Sequence, residues 1–499
     1  MASAPPSGAS DRLPWTRLRG GTFARHVMTL ASGTAVGQVL LVLSLPVLTR
    51  LYSPADYGAL AVYASTLTVL LVVASLRFEL AIPLPEDDSV AGSLLALSLL
   101  SLAAVTALVG LMVWLAGAAL VARAKVPALQ PYLWLIPIGL AGAGVFQALS
   151  YWAIRRRAFS RIARAKVSQG VGQVAVQVGL GIARAGAPGL LIGDVVGRVA
   201  GGGGVTLLAL RDRAFAHVTR ESIAAAALRY RRFPLLMTPS GLLNIGSLQL
   251  PSILFAAGFG AAAAGLYALS YKMLVLPTML VAQAVGQVFL SRAAAVSTEP
   301  ARLRALADRT ALALFAGGLP VFCAMAIGGP EIVSAVMGAQ WEQAGRYAQI
   351  LAPWFALWLV SNPLSGLLSV REWQGSALAF TAVEFGLRLG ALLIGIHRGS
   401  PILAVALLSA SGVAIAAGSI ARFMHAGHSS LRRLVGPAVR LLVLALGCLL
   451  PAAVALRSGR DRLALAAGAA AIAVYYLVLV RSTAGSRLLA ADAVGAGPP

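Results

Sequence analysis

Residues 37–88 read GQVLLVLSLPVLTRLYSPADYGALAVYASTLTVLLVVASLRFELAIPLPEDD. Two apolar runs, each long enough to cross a hydrocarbon layer about 30 Å thick, flank a short polar turn from Leu51 to Gly58. This pattern predicts a helical hairpin in a membrane. The second run closes on Arg77 and Glu79, followed by Pro83, Pro85 and the acidic patch Glu86, Asp87, Asp88. Charge at that depth is costly, so these residues need partners or a task.

The rest of the chain continues the theme. Of its 499 residues 59% are hydrophobic and 11% charged, with a mean hydropathy of +0.83. A water-soluble shell cannot cover so many apolar side chains, which predicts a polytopic membrane protein. The apolar segments run about 18 to 25 residues without strand-like alternation, so the spans are expected to be helices and not the strands of a barrel. Fourteen spans are expected, near 26–49, 59–78, 90–115, 132–153, 168–183, 188–210, 235–257, 264–288, 311–328, 348–369, 377–396, 402–421, 441–456 and 464–480. The fold class is therefore all-α: a basic tail (1–25), a six-helix lobe (26–210), a linker (211–234), a second six-helix lobe (235–421), and an extra helix pair with its tail (422–499). The first run, to Leu48, is too long for a signal-peptide core, and is read as an uncleaved helix.

Basic residues set the orientation. With the N-terminus inside, 27 of the 40 Lys and Arg fall in inner segments and nine in outer ones. That bias predicts that both termini are cytoplasmic. It also accounts for the formal net charge of +23, because basic residues beside helix ends meet anionic headgroups; nucleic acid is not an expected partner. The segments 211–234 and 291–310 are expected to be short amphipathic helices on the inner face. No Walker-type loop with its Lys-Ser/Thr is present, and the run Gly201–Gly204 is read as helix packing or a flexible helix segment. Cys323 and Cys448 lie far apart in apolar runs and read as small core residues.

An internal repeat emerges once the spans are laid out. SLPVLTRLYSPADYGALAVYAS in the first hairpin is matched by QLPSILFAAGFGAAAAGLYALS in the seventh and eighth spans, so that Pro46 corresponds to Pro251 and Gly58 to Gly265. Parallel repeats of this kind point to a transporter whose site lies between the halves.

The stretches PVLTRLYSPADYG and SLRFELAIPLPED resemble the N-terminal signature of Wzx-type polysaccharide flippases, of the multidrug/oligosaccharidyl-lipid/polysaccharide exporter superfamily. Thr49 to Pro54, Tyr57, Gly58, Leu76 to Glu79, Ala81, Ile82, Leu84 and Pro85 match, whereas Ala55 stands where the family has Glu. Gly258 to Gly260, Gly265, Tyr267 and Tyr271-Lys272 are similar to the family's second-half pattern. The resemblance implies two helical bundles around a central cavity, a non-enzymatic task, and a polyprenyl-diphosphate-linked oligosaccharide as cargo for O-antigen, lipopolysaccharide or exopolysaccharide synthesis. Glycosyltransferases and a polysaccharide polymerase would then be partners. No cofactor is expected, apart from a coupling ion, H+ or Na+, or the membrane potential.

The cargo's diphosphate needs cations. Arg50, Arg77, Lys272 and Arg388 lie within or at the ends of spans, where a basic side chain faces a cavity or a partner, and Arg suits phosphate oxygens. Snorkelling is the plain alternative for Arg50 and Arg77, and a structural position or pair the alternative for Lys272. For Arg388 it is an ion pair with Glu384, four residues earlier. Asp194 and Arg198 share that spacing, which suits a helix-locking salt bridge or ion coupling; Glu79 is the neighbour of Arg77. Gln38, Gln147, Gln169, Gln173, Gln177, Asn244 and Gln249 are cavity candidates for sugars, and Gln169, Gln173 and Gln177 form one helix face. Two other cargoes fit the same fold: a peptidoglycan lipid precursor, and a drug or cation exchanged by antiport. The latter would favour acids in the cavity, whereas intramembrane basic residues predominate here.

Overall fold

A computed structural model describes residues 20–370 and 375–481, with side chains for 36–368 and 380–481. Arg12, Arg17 and Arg19 of the basic tail, Arg371 and Arg487 lie outside the described residues. The first lobe comprises α1 (Gly20–Leu51), α2 (Pro54–Ala74), α3 (Asp88–Ala124), α4 (Leu135–Arg155), α5 (Phe159–Ile182), α6 (Ala187–Val199) and α7 (Gly202–Arg211). A short α8 (Arg220–Arg229) leads to α9 (Thr238–Phe259), α10 (Ala261–Ala295), α11 (Pro300–Met337), α12 (Glu342–Leu364), α13 (Gly366–Val370), α14 (Gly375–His397) and α15 (Pro401–Ala426). The chain then adds α16 (Leu431–Arg457) and α17 (Asp461–Arg481).

Among the described residues twelve helices are long and apolar enough to cross a membrane. The two expected spans outside that set are α1, whose described apolar part is Val36–Leu51, and α5. Arg161, Arg164, Lys166 and three glutamines make α5 too polar to face lipid all round, and α1 and α6 pack along it. Three local expectations need correcting. The segment 291–310 forms no separate surface helix, because α10 and α11 run on to Ala295 and from Pro300. The span at 188–210 is broken at Ala200 and Gly201, where Gly201 takes φ +83°. A Cβ there would come within 2.5 Å of the Ala165 carbonyl, so only glycine allows the close approach. Finally, α5 begins at Phe159, which places Lys166 two turns inside a helix and not in an inner loop.

The hairpin turn is fixed locally. Ser53 caps α2 through a reciprocal box, its hydroxyl accepting from the Asp56 amide at 3.2 Å while Asp56 accepts from the Ser53 amide at 2.9 Å. Pro54 supplies the preset φ of a first helical residue. Tyr52, between the helices, donates to the Gln177 carbonyl at 2.6 Å; burial, and then the nearby Asp56 carboxylate, push its phenol up to about 12.

Packing repeats between the lobes. The pairs α1–α5, α5–α6, α4–α6, α3–α4 and α2–α4 recur as α9–α14, α14–α15, α12–α15, α11–α12 and α10–α12. The lobes join where α2 crosses α10, and the repeat-related glycines meet there. A Cβ on Gly58 would strike the Ala261 carbonyl, and one on Gly265 would strike the Pro54 carbonyl. Each glycine thus lies on the carbonyl four residues before the other, as expected at a pseudo-two-fold crossing. Around it Leu48, Tyr52, Tyr57, Met337 and Trp341 form a buried apolar cluster. The Trp341 indole and the Gln340 amide donate to the Thr49 carbonyl at 2.8 and 2.7 Å, and Tyr57 and Trp341 meet edge to face at 5.0 Å. We call this the latched end.

At the opposite end the acidic patch finds its partners. Arg155 binds Asp88 at 2.7 Å and the Pro85 and Glu86 carbonyls, and Arg156 bridges Asp88 at 3.0 Å and Asp212 at 3.1 Å. These ties pin the α2–α3 connection to the end of α4. The appended pair α16–α17 packs on α11, where the Tyr476 hydroxyl donates to the Gly317 carbonyl at 2.6 Å.

Candidate functional site

The first lobe contains a cavity of about 550 Å³ walled by α1, α2, α4, α5 and α6. Helix α5 turns Ile162, Lys166, Gln169 and Gln173 toward it, at spacings of four, three and four that keep them on one face. Gln38 of α1, Gln147, Ser150 and Tyr151 of α4, and Asp194 and Arg198 of α6 complete its polar lining. Sugars need such donors and acceptors, and hydrocarbon does not supply them.

Its charge is unbalanced. Arg198 Nε donates to Asp194 Oδ2 at 2.5 Å, one turn back on the same helix. The pair therefore settles a charge within α6; the tie between helices is the Gln169 amide, donating to the Arg198 carbonyl at 3.3 Å. The Lys166 ammonium lies 4.8 Å from the centre of the Phe146 ring, with no acidic partner among the described residues. From the other lobe, Lys272 of α10 comes within electrostatic reach of Asp194. Within the cavity one carboxylate thus faces two cations, Lys166 and Arg198, leaving an excess positive charge that suits an anionic group.

Arg77 and Glu79 lie beside this cavity, away from the latched end, and Glu79 is tied to the cavity through its lining residue Gln147. Leu76 and Arg77 both take left-handed φ, 51° and 62°, at a cost of about 1–2 kcal/mol each for non-glycine residues. The turn buries Glu79 completely, where it accepts from the Ser75 hydroxyl at 2.7 Å and the cavity-lining Gln147 amide at 2.8 Å. Arg77 stands 3.9 Å from Glu79 and lies over Gly241 of α9, where a Cβ would come within 2.6 Å of its guanidinium.

The remaining candidates lie elsewhere. Arg388 is buried in the second lobe, paired with Glu384 at 2.5 Å, donating to the Ser247 hydroxyl at 3.1 Å and lying 4.9 Å from the Trp354 ring centre. Those partners tie α14 to α9 and α12. Arg50 is exposed at the latched end and Asn244 is exposed on α9. Gln177, buried, donates to the Leu190 carbonyl at 3.1 Å and holds α5 to α6, so the glutamine face reaches the cavity only at Gln169 and Gln173. Gln249 accepts from the Ser65 hydroxyl at 3.0 Å across the α2–α9 contact. Lys166 is the charged cavity residue that sequence reading missed; Ser150 and Tyr151 of α4 were missed as well. Carrying the glutamine face one turn toward the start of α5 finds Lys166.

A family model for polysaccharide biosynthesis proteins matches residues 47–346. The chain belongs to that family. The motifs at Thr49–Gly58 and Leu76–Pro85 fall inside the match. Among solved structures, the chain is similar to the lipid II flippase MurJ in an inward closed conformation, with a TM-score of 0.64 at 9% identity, covering 92% of this chain and 99% of that one. It is also similar to an inward-facing multidrug-resistance MATE transporter of the MOP superfamily (0.55, 14% identity, 83% and 93% covered). The Vibrio cholerae MATE transporter VcmN gives 0.51 at 13% identity, with 83% and 99% covered. A comparison with curated protein sequences found no match. At these identities the likeness shows the fold, that of flippases and transporters.

Proposed function

We propose that the chain is a flippase that carries polyprenyl-diphosphate-linked oligosaccharides across the bacterial cytoplasmic membrane by alternating access, for surface polysaccharide synthesis. The observation that carries this reading is the cavity itself: amide-rich, with cations in excess, inside a bundle of apolar helices whose two lobes are latched at one end. Sugars hydrogen-bond the amides. The diphosphate engages Lys166 and Arg198, with Lys272 approaching from the facing lobe. Arg77 beside the cavity makes the first contact and Arg50 at the latched end the last, so the anion is passed along a series of cations. The lipid tail leaves sideways between α1 and α10, whose contact among the described residues is slight although the repeat-related α2 and α9 pack closely. Asp194, the acid in the cavity, is the candidate for coupling to H+ or Na+. A peptidoglycan precursor shares the diphosphate chemistry, whereas the cation excess disfavours a cationic drug.

Proteoliposomes test this directly. With a lipid-linked oligosaccharide initially in the inner leaflet, the protein is expected to make the sugar accessible to an external glycosidase at a rate absent from empty vesicles. Failure with that lipid, together with proton-driven transport of a cationic dye, overturns the reading in favour of an antiporter.

The basic residues at the unlatched end support a cytoplasmic position for that end and a periplasmic one for the latched end. Cysteines at Ser53 or Ser400 are expected to react with an impermeant thiol reagent in cells whose cytoplasmic membrane is intact, whereas Ala187 in the next outer turn is buried and gives no such readout. Those at Ser160, Ser297 or Ser430 are expected to react only after that membrane is permeabilised. Reaction at Ser160 in intact cells reverses the assignment.

A further inference from the structure

A second cavity, of about 340 Å³, lies on the other side of α5 from the first. Arg161, Arg164 and Ser168 line it from α5, and Gly201, Gly204, Leu207 and Arg211 from the α6–α7 break and α7. Because the two helices run antiparallel, Arg161 and Arg211 both stand at the unlatched end. Arg164 is one turn deeper, and Ser168 and the glycines are deeper still. The groove is therefore charged at its mouth and smooth at its floor.

Two observations indicate that something occupies it. The first is unspent charge: among the described residues no acidic side chain pairs with any of the three arginines. Asp212, next in sequence to Arg211, is taken by Arg156 at 3.1 Å and by the Trp152 indole at 3.2 Å. The second is unspent space. A Cβ on Gly202, Gly203 or Gly204 would meet nothing within 4 Å among the described residues, so of the run Gly201–Gly204 only Gly201 serves close packing. Each glycine inside a helix costs about 0.8–1.0 kcal/mol relative to alanine, and no neighbour among the described residues explains that cost. Leu207 and Leu210 beside them are exposed.

We propose that this groove binds an anionic phospholipid, with its phosphate in the arginine cluster and one acyl chain along the glycine floor. Guanidinium forks match phosphate oxygens, and basic pockets between helices at the cytoplasmic side suit anionic headgroups. The acyl chain supplies the apolar contact that Leu207 and the bare backbone lack. The site faces away from the transport cavity, and the proposal is independent of what that cavity carries.

The purified full-length protein tests it by native mass spectrometry, with dioctanoyl phosphatidylglycerol, dioctanoyl phosphatidylcholine and inorganic phosphate as probes. The wild type is expected to retain one phosphatidylglycerol, to prefer it to phosphatidylcholine at least ten-fold, and to keep it against equimolar phosphate. The Arg161→Gln/Arg164→Gln/Arg211→Gln variant is expected to lose that preference. Gly204→Leu, which improves helix propensity and fills the floor, is expected to lower retention about ten-fold while melting no lower than the wild type. Undiminished retention in the triple variant overturns the headgroup site. Displacement by equimolar phosphate, or full retention in Gly204→Leu, overturns the lipid assignment.

Discussion

Leucine at Gly58 or Gly265 is expected to stop transport and to expose the latched end to reagents. The two glycines bring α2 and α10 into backbone contact, so an added side chain meets a carbonyl that no rotamer change can move. Overpacking of this kind costs about 1–3 kcal/mol, and at about 1.4 kcal/mol per factor of ten the upper value shifts an open–closed equilibrium more than 100-fold. The strain is present only while the end is closed, so the lobes stay parted there. Thr49, fully buried beneath Trp341 and Gln340, reports the change. A cysteine at position 49 is expected to react slowly with impermeant thiol reagents in an otherwise wild-type protein, where the end is only transiently open, and much faster beside Gly58→Leu. The converse variant guards against simple misfolding. The Thr49 hydroxyl lies 3.5 Å from the Met337 sulfur, so Thr49→Cys/Met337→Cys should cross-link with a short bis-methanethiosulfonate, each thiol forming a disulfide and releasing methanesulfinate, and lose transport until reduced. Normal transport in both the leucine variants and the cross-linked protein would mean that this end does not open.

Lys166→Met is expected to reduce transport about 100-fold and Lys166→Arg to retain most of it. At 4 Å and an effective dielectric of 20 a unit charge pair is worth about 4 kcal/mol, and water recovers only part of that when the cation is removed. Lys166 is the cleanest probe of the cavity because no acidic partner is orphaned by its loss. Arg198 is different: removing one member of a buried pair costs about 3–5 kcal/mol in stability, so Arg198→Gln should be combined with Asp194→Asn. The Arg77→Ala/Lys272→Ala double variant tests the hand-over from Arg77 to the facing lobe and is expected to abolish export while leaving the protein inserted. Wild-type export by Lys166→Met at matched expression would remove the cavity from the cargo path.

The sequence carried more of the fold than of the site. The sequence paired Gly58 with Gly265 as equivalent positions of a repeat, and the structure shows that the two meet where the lobes join. The Ser53-Pro54 turn was equally legible, since a capping box is written within four residues. Lys166 was not, because the basic cluster Arg155 to Arg164 reads as loop until α5 is seen to start at Phe159. Arg388 looked like Lys272 on hydropathy grounds, yet Arg388 is enclosed by Glu384, Ser247 and Trp354, whereas Lys272 forms no ion pair among the described residues.

By itself the sequence determined membrane residence, helicity, the hairpin turn and the twofold repeat. These follow from side-chain transfer free energies and from spacings within a few residues, which a chain expresses before it packs. Tertiary structure decided which cations share a cavity, which are sealed into a lobe, and that the glycines at 202–204 face open space. Those outcomes depend on the rotation of each helix about its own axis and on where α6 breaks, and both are set by contacts between residues far apart in sequence.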